Sequence, residues 1–353
     1  MSDLKQYFPL QNVLFPFVAM AVVTAFLYFA APIIIPIIIA ISLAYLLSPV
    51  VSLLKKLKIP HPVAVILVLI ISAIIFAVIG YFLVVQASSL LQELPSYWNT
   101  VVEYSVKFLG VYKKLFPQAK DLDLNSFQLK DFSGITKYLF RGISSSVSFI
   151  SSLVIILFLT FFILNDQEML KKKLIRAFGK SESDGQTVSK ILLEINQQIK
   201  SFILVKFGTS LALAIIFTIG LSIIGVNYAY IWGPLAGVLN LIPYVGSVIG
   251  AIPPMILAGI QFGAVMPVIW VLLLFVVFQN LEGNVVSPKL IGDKLNLNPL
   301  AVMASVMYWT WLWGAVGIIL AIPITAAVKV ICDHVESLEP IGILLGGKRD
   351  REE

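Results

Sequence analysis

The sequence predicts an all-α integral membrane protein with six to eight transmembrane helices, two re-entrant hairpins and an amphipathic extracytoplasmic helical insert. Three observations carry this. Residues of the AVILMFWYC set make up 59% of the 353-residue chain and charged residues 12%, about half the charged share of an ordinary globular domain. The mean hydropathy is +0.96, so a fold of this length cannot cover itself with charges and most of its surface must face lipid. Finally, the apolar residues come in runs of spanning length separated by basic stretches.

Several function classes fall away on composition. The net charge of +6, from 25 Lys+Arg and 19 Asp+Glu, points on such a chain to cytoplasmic loops rather than to nucleic acid. Cys332 is the single cysteine, which excludes an internal disulfide and a multi-Cys metal site. His61 and His334 have no neighbours at zinc-ligand spacing. No metal and no cofactor are expected. The chain has no G-x-x-x-x-G-K-[ST], H-E-x-x-H or G-x-S-x-G motif. An enzyme is therefore not expected, and any transport would be secondary or driven by a separate partner.

Residues 1–91 read as three spans, over 12–31, 33–54 and 63–91. The first is read as a retained anchor, because bulky Tyr28 and Phe29 and then Pro32 spoil a signal-peptidase site. Pro32, Pro60 and Pro62 sit at span ends, where a helix must stop anyway. Lys55, Lys56 and Lys58 place their loop, and with it the N-terminus, in the cytoplasm. Residues 92–142 form the insert: charges become frequent, Pro95, Pro117 and Gly134 punctuate, and Val102, Val106 and Leu109 recur at helical spacing. Residues 143–200 hold a fourth span followed by a basic cytoplasmic segment containing Lys171, Lys172, Lys173 and Arg176.

Residues 201–332 form the expected transport core, and 333–353 a cytoplasmic tail. The span 201–225 carries Lys206 near its start, where the side chain can snorkel to the interface. The segment 228–261 is apolar but interrupted by Asn240, Pro243, Gly246, Pro253 and Pro254. It is too long for one passage of roughly 30 Å and too short for two. Two half-helices meeting at 240–246 resolve this, since such backbone is tolerated at membrane depth only in protein or facing a water-filled cavity. After an ordinary span over 263–281, the segment 299–332 repeats the problem, broken by Trp313-Gly314-Ala315-Val316-Gly317 and by Pro323. Complete but kinked crossings would give eight passages instead. Residues 237–243 and 317–323 share Gly, Ile and Pro at matching positions. Paired interrupted segments of this kind point to a transporter's binding site.

Polar groups within the core are few. Gln279, Asn280, Glu282 and Asn284 cluster at the end of one span, followed by Pro288 and Lys289, and Glu282 is the only acid between Glu194 and Asp293. A buried carboxylate among amides binds a cation or titrates near neutral pH; an interfacial carboxylate does neither. Its expected partners are Lys289, Asn284 and Asn240. With Asn240, Pro243, Tyr244, Gly246, Gly317 and Pro323, these residues define the expected substrate or ion pathway. Tyr308, Trp309, Trp311 and Trp313 read either as the lining of a roomy site or as an interfacial belt.

Four stretches, Asn240-Leu-Ile-Pro-Tyr-Val-Gly246, Glu282-Gly-Asn-Val-Val-Ser-Pro-Lys-Leu-Ile-Gly292, Pro299-Leu300 and residues 314–323, resemble the AI-2E family of transporters, also called PerM-like permeases. Ser247 departs from the proline expected after Pro-Tyr-Val-Gly. The resemblance implies a homo-oligomeric protein of the bacterial cytoplasmic membrane that exports a small polar molecule of the autoinducer-2 kind. Sodium or lithium/proton antiport is the alternative it leaves open. A non-transporting scaffold, binding a partner through the insert or the basic segment, is a further alternative. Membrane lipid and a small-molecule or cation substrate are the expected partners.

Overall fold

The computed structural model describes residues 10–115, 146–179, 181–242, 245–291 and 297–347. These are helical, with no strand among the described residues beyond a single bridge between Leu297 and Gly346. Helix α1 (Leu10–Phe29) passes through one turn residue into α2 (Ala31–Lys56), whose first turn accepts Pro32 because no N–H is needed there. Lys55 and Lys56 lie in the last turn of α2, where positive charge complements the helix dipole.

The next three helices overrun the spans expected of them. Helix α3 (His61–Leu115) is 55 residues long and continues through Pro95 instead of stopping at residue 91. Pro95 is exposed, so the carbonyl that lacks its N–H partner can turn to solvent, and the periodicity of Val102, Val106 and Leu109 carries the helix on. The rest of the insert, from residue 116, lies outside the described residues, as do Pro117 and Gly134. Helices α4 (Ser146–Phe178) and α5 (Glu182–Ile224) likewise run on past the apolar stretches, so the basic segment is itself a helical hairpin. Its turn is fixed by reciprocal capping: Asp184 N–H donates to Ser181 Oγ at 3.1 Å and Ser181 N–H to Asp184 Oδ2 at 3.1 Å.

Beyond α5 come α6 (Ala229–Leu239), α7 (Val245–Phe262), α8 (Val265–Leu281), a π-helical turn (Glu282–Val286), α9 (Ser287–Ile291), α10 (Pro299–His334) and α11 (Glu339–Leu345). The chain divides into two compact units. One comprises Met1–Val68, Ser152–Leu204 and Ile291–Glu353; the other comprises Leu69–Ser151 and Val205–Leu290.

In the first unit, Trp309, Leu312, Trp313 and Ala321 of α10 pack against Leu27, Ile34, Ile35 and Ile38. Trp313 Nε1 donates to the Leu27 carbonyl at 3.1 Å, and the hydroxyls of Thr24 and Tyr308 bond at 2.8 Å. The aromatic cluster therefore splits: Trp309 and Trp313 are core, while Trp311 is exposed. In the second unit the core joins Leu213, Phe217 and Leu221 of α5 to Ala236, Ala251, Ala258, Val271 and Phe275. Phe217 and Phe275 stack with centroids 4.1 Å apart.

Elsewhere the surface is apolar. Ile70, Ile71, Ile74, Ile75, Phe76 and Val78 of α3 are all more than half exposed, which only lipid or protein can cover. Six helices among the described residues are long and apolar enough to cross a membrane. The chain is a multi-pass membrane protein.

Candidate functional site

Helices α6 and α7 form a hairpin closed at its base. Gln261, at the end of α7, accepts from Asn227 N–H at 2.8 Å and donates to the Gly225 carbonyl at 2.7 Å, just before α6. Gly225 (φ 86°) and Gly263 (φ 59°) adopt the left-handed conformation that lets the chain turn sharply at both stems. Helix α6 has 11 residues, about 16 Å at 1.5 Å per residue, or half of a bilayer core. Glycines seat it. A Cβ on Gly237 would lie 2.7 Å from the Ser210 carbonyl oxygen of α5, and one on Gly246 would lie 1.7 Å from the Leu239 carbonyl oxygen across the tip.

Helix α10 is a second hairpin written as one helix. At Gly314 the backbone takes φ 61° and ψ −138°, a conformation of the first central residue of a type II′ turn. The arms then fold together: a Cβ on Gly317 would lie 1.8 Å from the Trp309 carbonyl oxygen, and Trp309 Nε1 donates to Thr325 Oγ1 at 3.3 Å. Residues that far apart in a straight helix would be more than 20 Å from one another. The 36 residues of α10 are therefore two arms that meet at Gly314. Gly317 and Pro323 are buried in its second arm. The counterpart of Gly317 is Gly246, each being where the returning arm touches a carbonyl of the outgoing one. The alignment of 237–243 with 317–323 sets residues before one tip against residues after the other.

The polar groups of the second unit gather at the tip of the first hairpin. Asn240, 2% exposed, donates from Nδ2 to Ser210 Oγ at 3.1 Å and accepts on Oδ1 from Gln279 Nε2 at 2.8 Å. One turn further along, the π-helical turn carries Glu282, which is 6% exposed. Its Oε1 accepts from Lys206 Nζ at 3.2 Å, Thr209 Oγ1 at 3.0 Å and Ser287 Oγ at 2.8 Å. The wider turn brings Ser287, five residues on, over the carboxylate. Oε2 has no hydrogen-bond partner among the described residues. Thr209 and Ser210 are neighbours on α5, so the ion pair and the hairpin tip hang on adjacent residues of one helix.

The other expected site residues stand apart. Asn280 and Asn284 bond along their own helix, to the Val276 carbonyl at 2.7 Å and from Asn284 to Asn280 Oδ1 at 3.2 Å, on an exposed face. Pro288 and Lys289 are exposed. Pro243 and Tyr244 lie outside the described residues. The partner of Glu282 is thus Lys206, not Lys289, Asn284 or Asn240. A lysine near a span start reads as snorkelling, yet Lys206 is the only basic residue between Lys200 and Lys289, and that scarcity was its signal. Lys329 carries the same signal on α10: it is the only charge between Lys294 and Asp333, is 3% exposed and pairs with Asp333.

Comparison with known proteins places the chain among transporters. The family model described as AI-2E family transporter matches residues 17–337. A protein of Borreliella burgdorferi strain B31, provisionally named a transport protein, is 30% identical over 314 residues, covering 88% of this chain and 84% of its own. The AI-2 transport protein TqsA of Escherichia coli K12 is 26% identical over 323 residues, 90% of each chain. The permease-named PerM of the same strain is 26% identical over 313 residues, covering 86% of this chain and 88% of its own.

Proposed function

Because the chain belongs to the AI-2E transporter family, we propose that it is a secondary transporter exporting a small polar molecule across a bacterial cytoplasmic membrane. The observation that carries this reading is the pair of half-buried Lys206 with buried Glu282, one turn from the Asn240–Gln279 contact. A charge in an apolar span costs about 2.5–3.5 kcal/mol at a helix centre, so it persists where it has a partner or a role. Here a change at the carboxylate is felt at the tip. When a proton neutralises Glu282, Lys206 loses its counter-charge, the hold of α5 on the π-helical turn weakens, and Gln279 and Asn240 shift with it. Proton entry thereby opens and closes the tip to substrate.

In this reading both hairpins are re-entrant, and residues 55–61, the basic α4–α5 turn and both termini face the cytoplasm. The copies assemble as a homo-oligomer, which the apolar exposed faces permit. A second reading, cation/proton antiport, is favoured by Glu282 Oε2, which is left to a proton or a cation while Oε1 takes all three hydrogen bonds.

Flux in proteoliposomes under an imposed pH gradient tests both, with autoinducer-2 and with sodium or lithium. The Lys206→Gln/Glu282→Gln variant removes both charges together. It is expected to insert and assemble normally and to lose pH-driven flux by at least tenfold. Undiminished flux in that variant would remove Glu282 from the mechanism.

A further inference from the structure

A cavity of about 510 Å³ lies within the first unit, between α2, α4 and α5. Its wall changes character along its length. One end is apolar, at Ile37, Ile41 and Ile163; further along, Ser48, Lys171 and Lys200 sit among Leu170, Leu174, Leu192 and Leu193. From Ile37 to Ser48 along α2 is about 16 Å, so the cavity is elongated, hydrocarbon at the Ile37 end and carrying its cations around Ser48. Among the described residues neither lysine forms an ion pair, and Lys200 Nζ donates to the uncharged Ser48 Oγ at 3.4 Å. Glu168 also borders the cavity but is exposed and makes no ion pair among the described residues. The balance at that end is positive.

We propose that this cavity binds one anionic phospholipid, its phosphate between Lys171 and Lys200 and the start of an acyl chain along Ile41 and Ile37. Each ammonium offers three donors to the phosphate oxygens. The volume is that of an ordinary ligand site, with room for a glycerophosphate head and part of a chain. A soluble anion has no use for the apolar end, and toward the cation of a zwitterionic lipid the two lysines outnumber Glu168. The site rests on the chain's being a membrane protein and is independent of the transport reading.

Native mass spectrometry of the purified full chain tests it, using phosphatidylglycerol and phosphatidylcholine with matched acyl chains. One phosphatidylglycerol is expected to bind with a roughly ten- to thirtyfold preference, about what two lysines near an anionic surface supply. Lys171→Gln/Lys200→Gln should abolish the preference. Lys172→Gln/Lys173→Gln, the same charge change on the exposed neighbours, should leave it intact. Ile41→Trp, which fills the apolar end, should weaken binding severalfold with every charge in place, and it carries the test if the double lysine variant does not fold. Equal binding of phosphatidylcholine, equal losses in the two lysine pairs, or complete displacement by glycerol 3-phosphate would each overturn the proposal.

Discussion

Lys206 and Glu282 differ in how far each can retreat from its partner: the lysine side chain keeps 17% exposure against 7% for the carboxylate. Stripping a buried pair of one member costs about 3–5 kcal/mol because the survivor is left uncompensated, and the survivor's freedom decides where in that range it falls. Lys206→Gln is therefore expected to destabilise more than Glu282→Gln, whose orphaned lysine can extend along its flexible stem. The double glutamine variant should recover most of the loss. Thermal unfolding in detergent checks the order; a Lys206→Gln melting temperature equal to wild type would mean the pair contributes nothing. Scarcity in the sequence singled out Glu282 correctly as a buried group, but nearness along the chain favoured Lys289, seven positions on, over Lys206, 76 positions back. The π-helical turn decided between them: it faces the carboxylate toward α5 and leaves Lys289 on the exposed side.

At the scale of elements, the interrupted segments were legible because proline, asparagine and glycine inside an apolar run contradict a plain span. What the sequence could not convey was which residue makes each turn. In the first hairpin the reversal follows Asn240, while in the second it falls on Gly314 alone, upstream of the conspicuous Pro323. Helices α3, α4 and α5 outrun their apolar stretches for a related reason: hydropathy reports the edge of the lipid, whereas a helix continues for as long as its periodicity and caps allow. The close contacts make the two tip glycines equivalent in kind. Gly246→Ala and Gly317→Ala should each force the arms apart and lower stability by more than the 1–3 kcal/mol typical of overpacking, whereas Gly283→Ala, with nothing near its Cβ, should be tolerated. Melting temperatures of the three variants, read side by side, check this; tolerance at Gly317 would mean that the α10 arms are not in contact.

For the whole molecule, the proposed orientation follows from where lysines collect. In a Cys332→Ser background, an impermeant thiol reagent added to intact cells should label Lys113→Cys and spare Lys172→Cys; labelling of the latter would invert the topology. The base of the first hairpin also bears on how the chain is made. Helix α6 is too short to be held across a bilayer by itself, and Gln261 can close the stem once residue 261 has left the ribosome. At that moment the tip has Ser210 but not Gln279, which has yet to emerge. The nascent chain thus passes through a stage in which a sealed loop carries an incompletely satisfied asparagine into the membrane, and α8 arrives as the strut that completes it. A chain truncated after Phe262 should accordingly leave residue 240 open to a water-soluble thiol probe when it is replaced by cysteine, and extension through residue 291 should protect it. Assembly of this core is a matter of order as well as of hydropathy, since the residue that lodges the tip emerges after the loop it must hold.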